Sequence, residues 1–151
     1  MKLLQYKLLA DEFDESISTI CAELDKPSAS IFLNYDKEHF WNYVSSAKNV
    51  YYYKVFQDHQ LCASLHIESE RDVLYMSLLV FENYRCQGIG TQIISDLLSG
   101  LLPISFDSIE VSIAIDNIAS IRLFEKCGFV FTSIYDELLN YRYSKNLPNC
   151  I

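Results

Sequence analysis

The chain has 151 residues, of which 50% are hydrophobic and 21% charged, so it is long enough to bury a core and too apolar to be disordered. Its formal net charge of −8 argues against nucleic acid as a main partner, because binding to phosphates requires a basic surface. We expect one domain over residues 1–151.

The spacing of the cysteines and the lengths of the apolar segments predict the cellular compartment of the protein. Five cysteines are widely spaced, and none forms a C-x-x-C pair, so neither a disulfide framework nor a zinc site is predicted. We find no uninterrupted apolar segment of the length that a signal peptide or a transmembrane helix needs. We therefore expect a cytoplasmic protein with reduced thiols, no metal and no membrane contact.

The first third of the chain predicts one strand and two helices. Alternation at Leu4, Tyr6 and Leu8 is typical of a strand. Asp11 is placed to cap a first helix, which Lys26-Pro27-Ser28 would end. The predicted buried face of that helix consists of Phe13, Ile17, Ile20, Cys21 and Leu24.

A second helix is predicted after a short apolar segment at residues 31–33. Asn34 or Asp36 would cap it. Its buried positions would be Phe40, Trp41, Val44 and Ala47. The region is rich in aromatic side chains, which either join the core or form a pocket wall for an acceptor; they are Phe32, Tyr35, Trp41 and Tyr43.

Three strands follow, at residues 50–56, 61–68 and 73–81, with polar turns between them. Short connections of this kind predict an antiparallel meander. The third strand is almost continuously apolar, which predicts that it is buried on both faces.

Two glycines then stand where a helix begins, in the segment Arg85-x-x-Gly88-x-Gly90. The helical face would be Ile89, Ile93, Ile94, Leu97, Leu98 and Leu101. The first amides of a helix bind anions, and glycine lets a ligand approach the backbone, so this segment can hold a phosphate or pyrophosphate beside the cation of Arg85. The alternative is that the glycines only make a tight turn. The segment is neither a Walker A motif nor a dinucleotide fingerprint.

The last third predicts a strand at residues 109–115, a helix begun by Asp116 or Asn117, and two further strands. Ile118, Ile121 and Phe124 would lie on the helix. Gly128 is placed as its left-handed terminator. The strands are expected at residues 129–134 and within 137–143.

The two glycine-bearing segments, residues 85–90 and 117–129, together resemble the GNAT superfamily of N-acetyltransferases. The first is similar to its acyl-CoA loop, Q/R-x-x-G-x-G/A, and the second to its N-x-x-A/S-x-x-L-Y/F-x-x-x-G-F signature. Clear motifs cover about residues 73–134, and the first half matches only in its order of elements. The resemblance implies an α/β (α+β) fold, with a central mixed, mostly antiparallel sheet, helices on both faces, and splayed fourth and fifth strands.

The resemblance also implies where acetyl-CoA, as co-substrate, would bind. Its pantetheine would pair with the backbone of Leu78, Leu79 and Val80. Its pyrophosphate would lie on the segment Arg85, Cys86, Gln87, Gly88, Ile89, Gly90 and Thr91. Asn117 would approach the pantetheine arm or would only cap its helix, and Phe124 would face the thiol. Arg122 and Lys126 would either meet the nucleotide phosphates or remain solvated helix charges.

The implied reaction is direct transfer of an acetyl group to a primary amine of a small molecule, peptide or protein. The amide of Leu79 is a candidate donor to the thioester oxygen. The family's usual acid, a tyrosine, is replaced by Phe124, and a glutamate that serves some members as base is replaced by Ser112. Replacement candidates are Tyr141, Tyr143, Glu110, His66 and Glu68, and the two tyrosines come first.

Residues 1–82 hold 13 Asp/Glu against 7 Lys/Arg, which would suit a cationic acceptor, although a solvated acidic surface is the simpler explanation. Because the usual acid and base are missing, a non-catalytic CoA-binding regulatory module is the alternative to an enzyme. A structural interaction domain is a third possibility, against which the intact glycine loop argues. A homodimer is also expected.

Overall fold

The structure is a computed structural model that describes residues 3–30, 40–46 and 48–145. The predictions for residues 31–36 and for Ala47 lie outside these ranges. Among the described helices, none is both long and apolar enough to cross a membrane.

Within the described ranges, seven strands form one sheet in the order β1-β2-β3-β4-β5-β7-β6. Their bounds are β1 Leu4–Leu8, β2 Val50–Gln57, β3 Gln60–Glu70, β4 Val73–Val80, β5 Ser108–Ala114, β6 Val130–Tyr135 and β7 Leu138–Ser144. Every neighbouring pair is antiparallel except β4 and β5, which are parallel. The predicted meander and the mixed, mostly antiparallel sheet are confirmed.

Helices cover both faces of this sheet. In the part of the chain that the structure describes, they are α1 Ser16–Asp25, α2 Pro27–Ser30, α3 Phe40–Ser46, α4 Ile89–Leu98 and α5 Ile118–Lys126, and a 3₁₀ turn spans Glu82–Tyr84. The buried side of α4 and Phe124 of α5 join a core cluster that includes Leu74 and Met76 of β4. The buried residues of α1, α2 and α3 cluster instead with Leu79 and with Phe81, just beyond β4. Because alternate residues of a strand point to opposite faces, the two helix groups lie on opposite sides.

The first helix begins five residues later than Asp11. The Asp11 carboxylate accepts a hydrogen bond from the Phe13 amide, and the Asp14 carboxylate accepts from the amides of Ala10 and Ser16. Aspartates that bond nearby amides favour turns over helix, so the chain reaches Ser16 before α1 starts. Phe13, predicted to be buried, is 84% exposed. Both predictions were wrong.

Two predictions of burial in the middle of the chain were also wrong. Tyr75 and Ser77 of β4 are exposed, because α1, α2 and α3 cluster only with the far end of the strand, near Leu79. Leu101 is exposed because α4 ends at Leu98 and the chain turns at Gly100, which has φ +84°.

The signals of the last helix are confirmed. The Asn117 side chain accepts a hydrogen bond from the Ser120 amide at 3.3 Å, as a helix cap does. Gly128 has φ +92° and ends the helix in the left-handed conformation.

Candidate active site

The parallel strands β4 and β5 separate along most of their length. They pair only where Val73, Leu74 and Tyr75 lie opposite Ser108, Ile109 and Glu110. Beyond Tyr75 the edge of β4 that faces β5 has no strand partner among the described residues. Its backbone groups therefore line a gap that an extended ligand could fill.

The register between β3 and β4 decides which amides point into this gap. The Phe81 amide donates to the Cys62 carbonyl at 2.9 Å. Hydrogen-bonded positions alternate along antiparallel strands, so the backbone groups of Leu79, opposite Ser64, also point toward β3. The amides of Leu78 and Val80 point toward the gap instead. The interpretation of the Leu79 amide as the donor to a thioester does not fit this register.

A cavity of about 460 Å³ lies where the gap meets α4, α5 and α2. Eleven of the twelve residues that the sequence predicted for the cofactor line it: Leu78, Leu79, Val80, Arg85, Cys86, Gly88, Ile89, Gly90, Thr91, Asn117 and Phe124. Gln87 is absent from the lining, and its side chain donates to the Asn83 carbonyl at 3.2 Å.

The two glycines of the loop meet different requirements. Gly88 precedes α4 with φ +81°, and a Cβ there would meet no atom within 4 Å. A Cβ on Gly90 would lie 3.0 Å from Cδ2 of Leu123, on α5. Gly88 therefore supplies a backbone conformation, whereas Gly90 leaves room between two helices that line the cavity.

Arg85 is held in place by the strand that precedes it. Its Nε donates to the Val80 carbonyl at 2.9 Å. The side chain is partly buried and lines the cavity. A fixed guanidinium beside the amino end of α4 suits an anion, because the helix dipole adds partial positive charge there.

The second helix of the site contributes a cap and an aromatic ring. Asn117, which caps α5, also lines the cavity, so its two predicted roles are compatible. Phe124 is buried, lines the cavity and packs edge-to-face on Phe129 at 5.0 Å between ring centroids. Arg122 and Lys126 are exposed and do not line the cavity.

The two tyrosines that the sequence placed first for proton transfer do not line this cavity. Tyr141 is buried, and its hydroxyl donates to Glu125 at 3.0 Å. Burial, and then the neighbouring Glu125 carboxylate, raises the pKa of Tyr141. The Tyr143 ring packs on Phe129 at 5.7 Å between centroids. Both rings belong to the core beside α5, where Leu139 also packs, so their position does not match the predicted role.

Glu110 lies on the sheet face opposite to the one that carries Tyr141 and Tyr143. Its carboxylate is 3.4 Å from Nε of Arg142. The neighbouring Tyr75 has a raised pKa because of burial and then the charge and hydrogen bond of Glu110. Glu110 is therefore already paired, and like the tyrosines it does not line the cavity.

A row of polar side chains crosses this same face on both sides of the gap. Its members are His66, Ser77, Ser112 and Asn140. His66 of β3 lies opposite Ser77 of β4, and across the gap the Ser112 hydroxyl donates to Asn140 at 2.7 Å. Burial lowers the pKa of His66, and its Nε2 is 3.8 Å from the Glu68 carboxylate. The row was not predicted, because its members come from separate strands and meet only through the register.

Six residues of the cavity lining were missed: Ser28, Ala29, Tyr84, Ala119, Ser120 and Leu123. The first two reach the site because the buried Glu23 carboxylate accepts a hydrogen bond from the Glu82 amide at 3.2 Å and so ties α1 to the turn after β4. The pattern Lys26-Pro27-Ser28 signalled only a helix end. Ser120 and Leu123 are part of the second motif and could have been inferred from it.

A mixed sheet that is split between its fourth and fifth strands, with a glycine loop opening a helix at the split, defines an acyltransferase domain of the acetyl-CoA-dependent type. Residues 10–129 match the model of the acetyltransferase (GNAT) family, and the chain belongs to that family. No curated protein matches the sequence closely enough to count as a relative.

Solved structures of low sequence identity share the fold. A domain from Methanocaldococcus jannaschii is 18% identical with a TM-score of 0.81, over 95% of this chain and 99% of the other. The Campylobacter jejuni N-acetyltransferase PseH in complex with acetyl coenzyme A is 12% identical with a TM-score of 0.76, over 95% and 99%. The Vibrio cholerae spermidine N-acetyltransferase, in complex with CoA and spermine, is 13% identical with a TM-score of 0.78, over 93% and 95%.

Proposed function

We propose that the protein transfers an acetyl group from acetyl-CoA to a primary amine of a small molecule or a protein. The observation that carries the proposal is the cavity itself, which joins the unpaired edge of β4 to the amino end of α4 and to α5. In the reaction a C–N bond forms, the C–S bond of the thioester breaks, the amine loses a proton and the CoA thiolate gains one.

The chain's own residues suit such a co-substrate. The loop amides at the start of α4 and the Arg85 guanidinium would hold the pyrophosphate. The backbone of Leu78 and Val80 would pair with the pantetheine, and one of these two amides would stabilise the charge that develops on the carbonyl oxygen. The missing Cβ of Gly90 keeps the space between α4 and Leu123 open.

Proton transfer would differ from the family pattern. Phe124 has no proton to donate, and Tyr141 and Tyr143 belong to the core beside α5. We therefore assign protonation of the thiolate to water. For the base, His66 is our first candidate, although it does not line the cavity either. It lies opposite Ser77 of the strand that borders the gap, and burial lowers its pKa, so that its imidazole is neutral at pH 7. Glu68 and Glu110 are the other candidates on this face.

The acceptor would be a cationic amine that approaches along the polar row. Glu68, Glu70 and Glu110 lie on β3 and β5 and are at least partly exposed, and Arg142 lies opposite Glu110. The match of fold to a spermidine N-acetyltransferase in complex with spermine is consistent with this choice. We place the activity in the cytoplasm, where the exposed Cys86 thiol would stay reduced.

The deciding experiment measures thiol release from acetyl-CoA with a panel of polyamines, amino sugars and peptides. Wild type should turn over at least one amine, and Gly90→Val should turn over none. Calorimetry with CoA is the companion measurement. Binding without turnover of any amine would instead support the non-catalytic CoA-binding module, which the phenylalanine at position 124 and the serine at position 112 favour. A protein that does not bind CoA would be a structural domain, and the proposal would fail.

A further inference from the structure

The two edges of the sheet differ in character. β1 carries the charged residue Lys7, whose Nζ lies 5.4 Å from the Phe56 ring centroid. At the other edge, all six residues of β6 are exposed, and their sequence, Val-Phe-Thr-Ser-Ile-Tyr, contains no charge and no proline. Edge strands normally carry charges or prolines because their unpaired backbone groups invite another strand.

From this edge we propose that β6 pairs with β6 of a second copy of the chain, antiparallel about a two-fold axis, so that two sheets become one. The pairing is independent of the proposed enzymatic function. A two-fold axis is the common symmetry of soluble dimers and brings the same strand together from both copies.

The irregularity in β6 makes the strand complementary to itself. The register with β7 shifts between Phe131 and Ser133, so that Phe131 lies opposite Tyr141, and Ile134 lies opposite Leu139. Tyr141 and Leu139 are two residues apart on one strand and point to the same face, so Phe131 and Ile134 share that face. By the same reasoning Val130 and Tyr135, opposite Arg142 and Leu138, share the other face.

Antiparallel pairing about the middle of β6 then places each apolar side chain of one copy opposite an apolar side chain of the other. Phe131 of one copy lies opposite Ile134 of the other, and Val130 lies opposite Tyr135. Aromatic and β-branched pairs across antiparallel strands are stabilising. Without the register shift, these partners would point to opposite faces of the sheet.

Charge and area also favour a second copy as the occupant. Two chains of net charge −8 repel each other, and an uncharged strand offers a surface where that repulsion is least. The four apolar side chains of β6 are 49–78% exposed. At about 150–250 Å² for a large side chain, they expose roughly 500 Å² per copy, and a standard interface buries about 800 Å² per partner. Leu138, which lies opposite Tyr135 on β7 and is 38% exposed, supplies further apolar area.

Sedimentation equilibrium of the full chain, from roughly 1 to 100 µM, tests the proposal over the range where a modest interface assembles. Wild type should sediment as a dimer. Ile134→Lys should weaken association about a hundredfold or more, because it removes an apolar partner and buries an unpaired charge. This variant lowers the net charge to −7, so a monomer cannot be attributed to greater overall repulsion. Phe13→Lys makes the same charge change on an exposed aromatic outside the edge and should remain a dimer.

A rescue experiment separates pairing from misfolding. Copies with Phe131→Lys and Ile134→Lys, and copies with Phe131→Asp and Ile134→Asp, should each be monomers. Their mixture should form a heterodimer, because every new charge then faces its opposite. A wild type that is a monomer throughout, a dimer that Ile134→Lys leaves intact, or a mixture that fails to associate would each overturn the proposal.

Discussion

Nε of Arg85 donates a hydrogen bond of 2.9 Å to the carbonyl of Val80, the last residue of β4. The bond joins the end of the strand that borders the gap to the residue that begins the glycine loop. It fixes the guanidinium beside the cavity, and because the acceptor is a carbonyl and not a carboxylate, this bond does not neutralise the positive charge of Arg85.

Arg85→Ala should weaken CoA binding by roughly tenfold to a hundredfold, the cost of a lost charge-assisted contact. The deficit should shrink as the salt concentration rises, because salt screens the wild-type attraction. Calorimetry across a salt series measures both effects. Arg71→Ala is the matched control, since Arg71 is exposed in the turn before β4, at the opposite end of the strand. Equal affinities of the two variants would mean that Arg85 does not contact the ligand.

The two loop glycines should respond differently to substitution. Gly88→Ala forces a side chain into the left-handed region and should lower the free energy of unfolding by about 1–2 kcal/mol. Gly100 has a similar φ of +84°, also with no atom within 4 Å of a Cβ, and lies outside the cavity, so Gly100→Ala should show the same loss of stability. CoA affinity should fall in Gly88→Ala and stay unchanged in Gly100→Ala. Thermal unfolding and calorimetry on both variants check this.

Gly90→Val should abolish CoA binding while the protein remains folded. The obstacle to its Cβ is the end of the Leu123 side chain at 3.0 Å, which can shift, but only by moving within the cavity lining. Circular dichroism reports the fold and calorimetry the binding. A folded Gly90→Val protein with normal affinity would contradict the placement of the phosphates at this loop.

Tyr141→Phe should change turnover little. The hydroxyl donates to Glu125 in the core beside α5, so its removal should cost about 1 kcal/mol of stability and leave thiol release near the wild-type rate. Tyr143→Phe should likewise leave the rate of thiol release near that of wild type. Loss of most of the rate in either variant, with CoA binding intact, would show that a C-terminal tyrosine is the acid after all.

His66→Gln should lower turnover and remove its dependence on pH on the acid side. Burial lowers the pKa of His66 below its ordinary 6.5. The wild-type rate should therefore be full near neutral pH and fall as the imidazole becomes protonated below pH 6.5. A depressed pKa also means that the unfolded chain binds more protons, so wild type should lose stability as the pH falls below 6.5, and His66→Gln should lose less. Rate and unfolding profiles from pH 5 to 8 test both parts; an unchanged acid limb would exclude His66 as the base.

Local chemistry was predictable and long-range placement was not. The Asn117 cap and the Gly128 terminator depend on neighbours within a few residues, so the sequence alone located α5. The start of α1 depends in addition on Lys54, forty residues away, whose Nζ lies 2.8 Å from the Asp14 carboxylate. The sheet face to which Tyr141 points could not be predicted either. That face follows from the register of the strands, which the periodicity of the sequence does not set.

Phe124→Tyr restores a hydroxyl at the position where the family usually has one. The ring already lines the cavity against Phe129, so the change adds one polar atom to an existing aromatic site. If protonation of the leaving thiolate limits the rate, the variant should be faster than wild type, by up to about a hundredfold, the lower end of what general acid catalysis gives. If water protonates the thiolate fast enough, the two rates should agree. Thiol release at saturating acetyl-CoA across pH distinguishes these outcomes, and CoA affinity measured in parallel guards against a binding defect. A slower variant with normal affinity would mean that the apolar ring itself is needed, to keep water from the thioester.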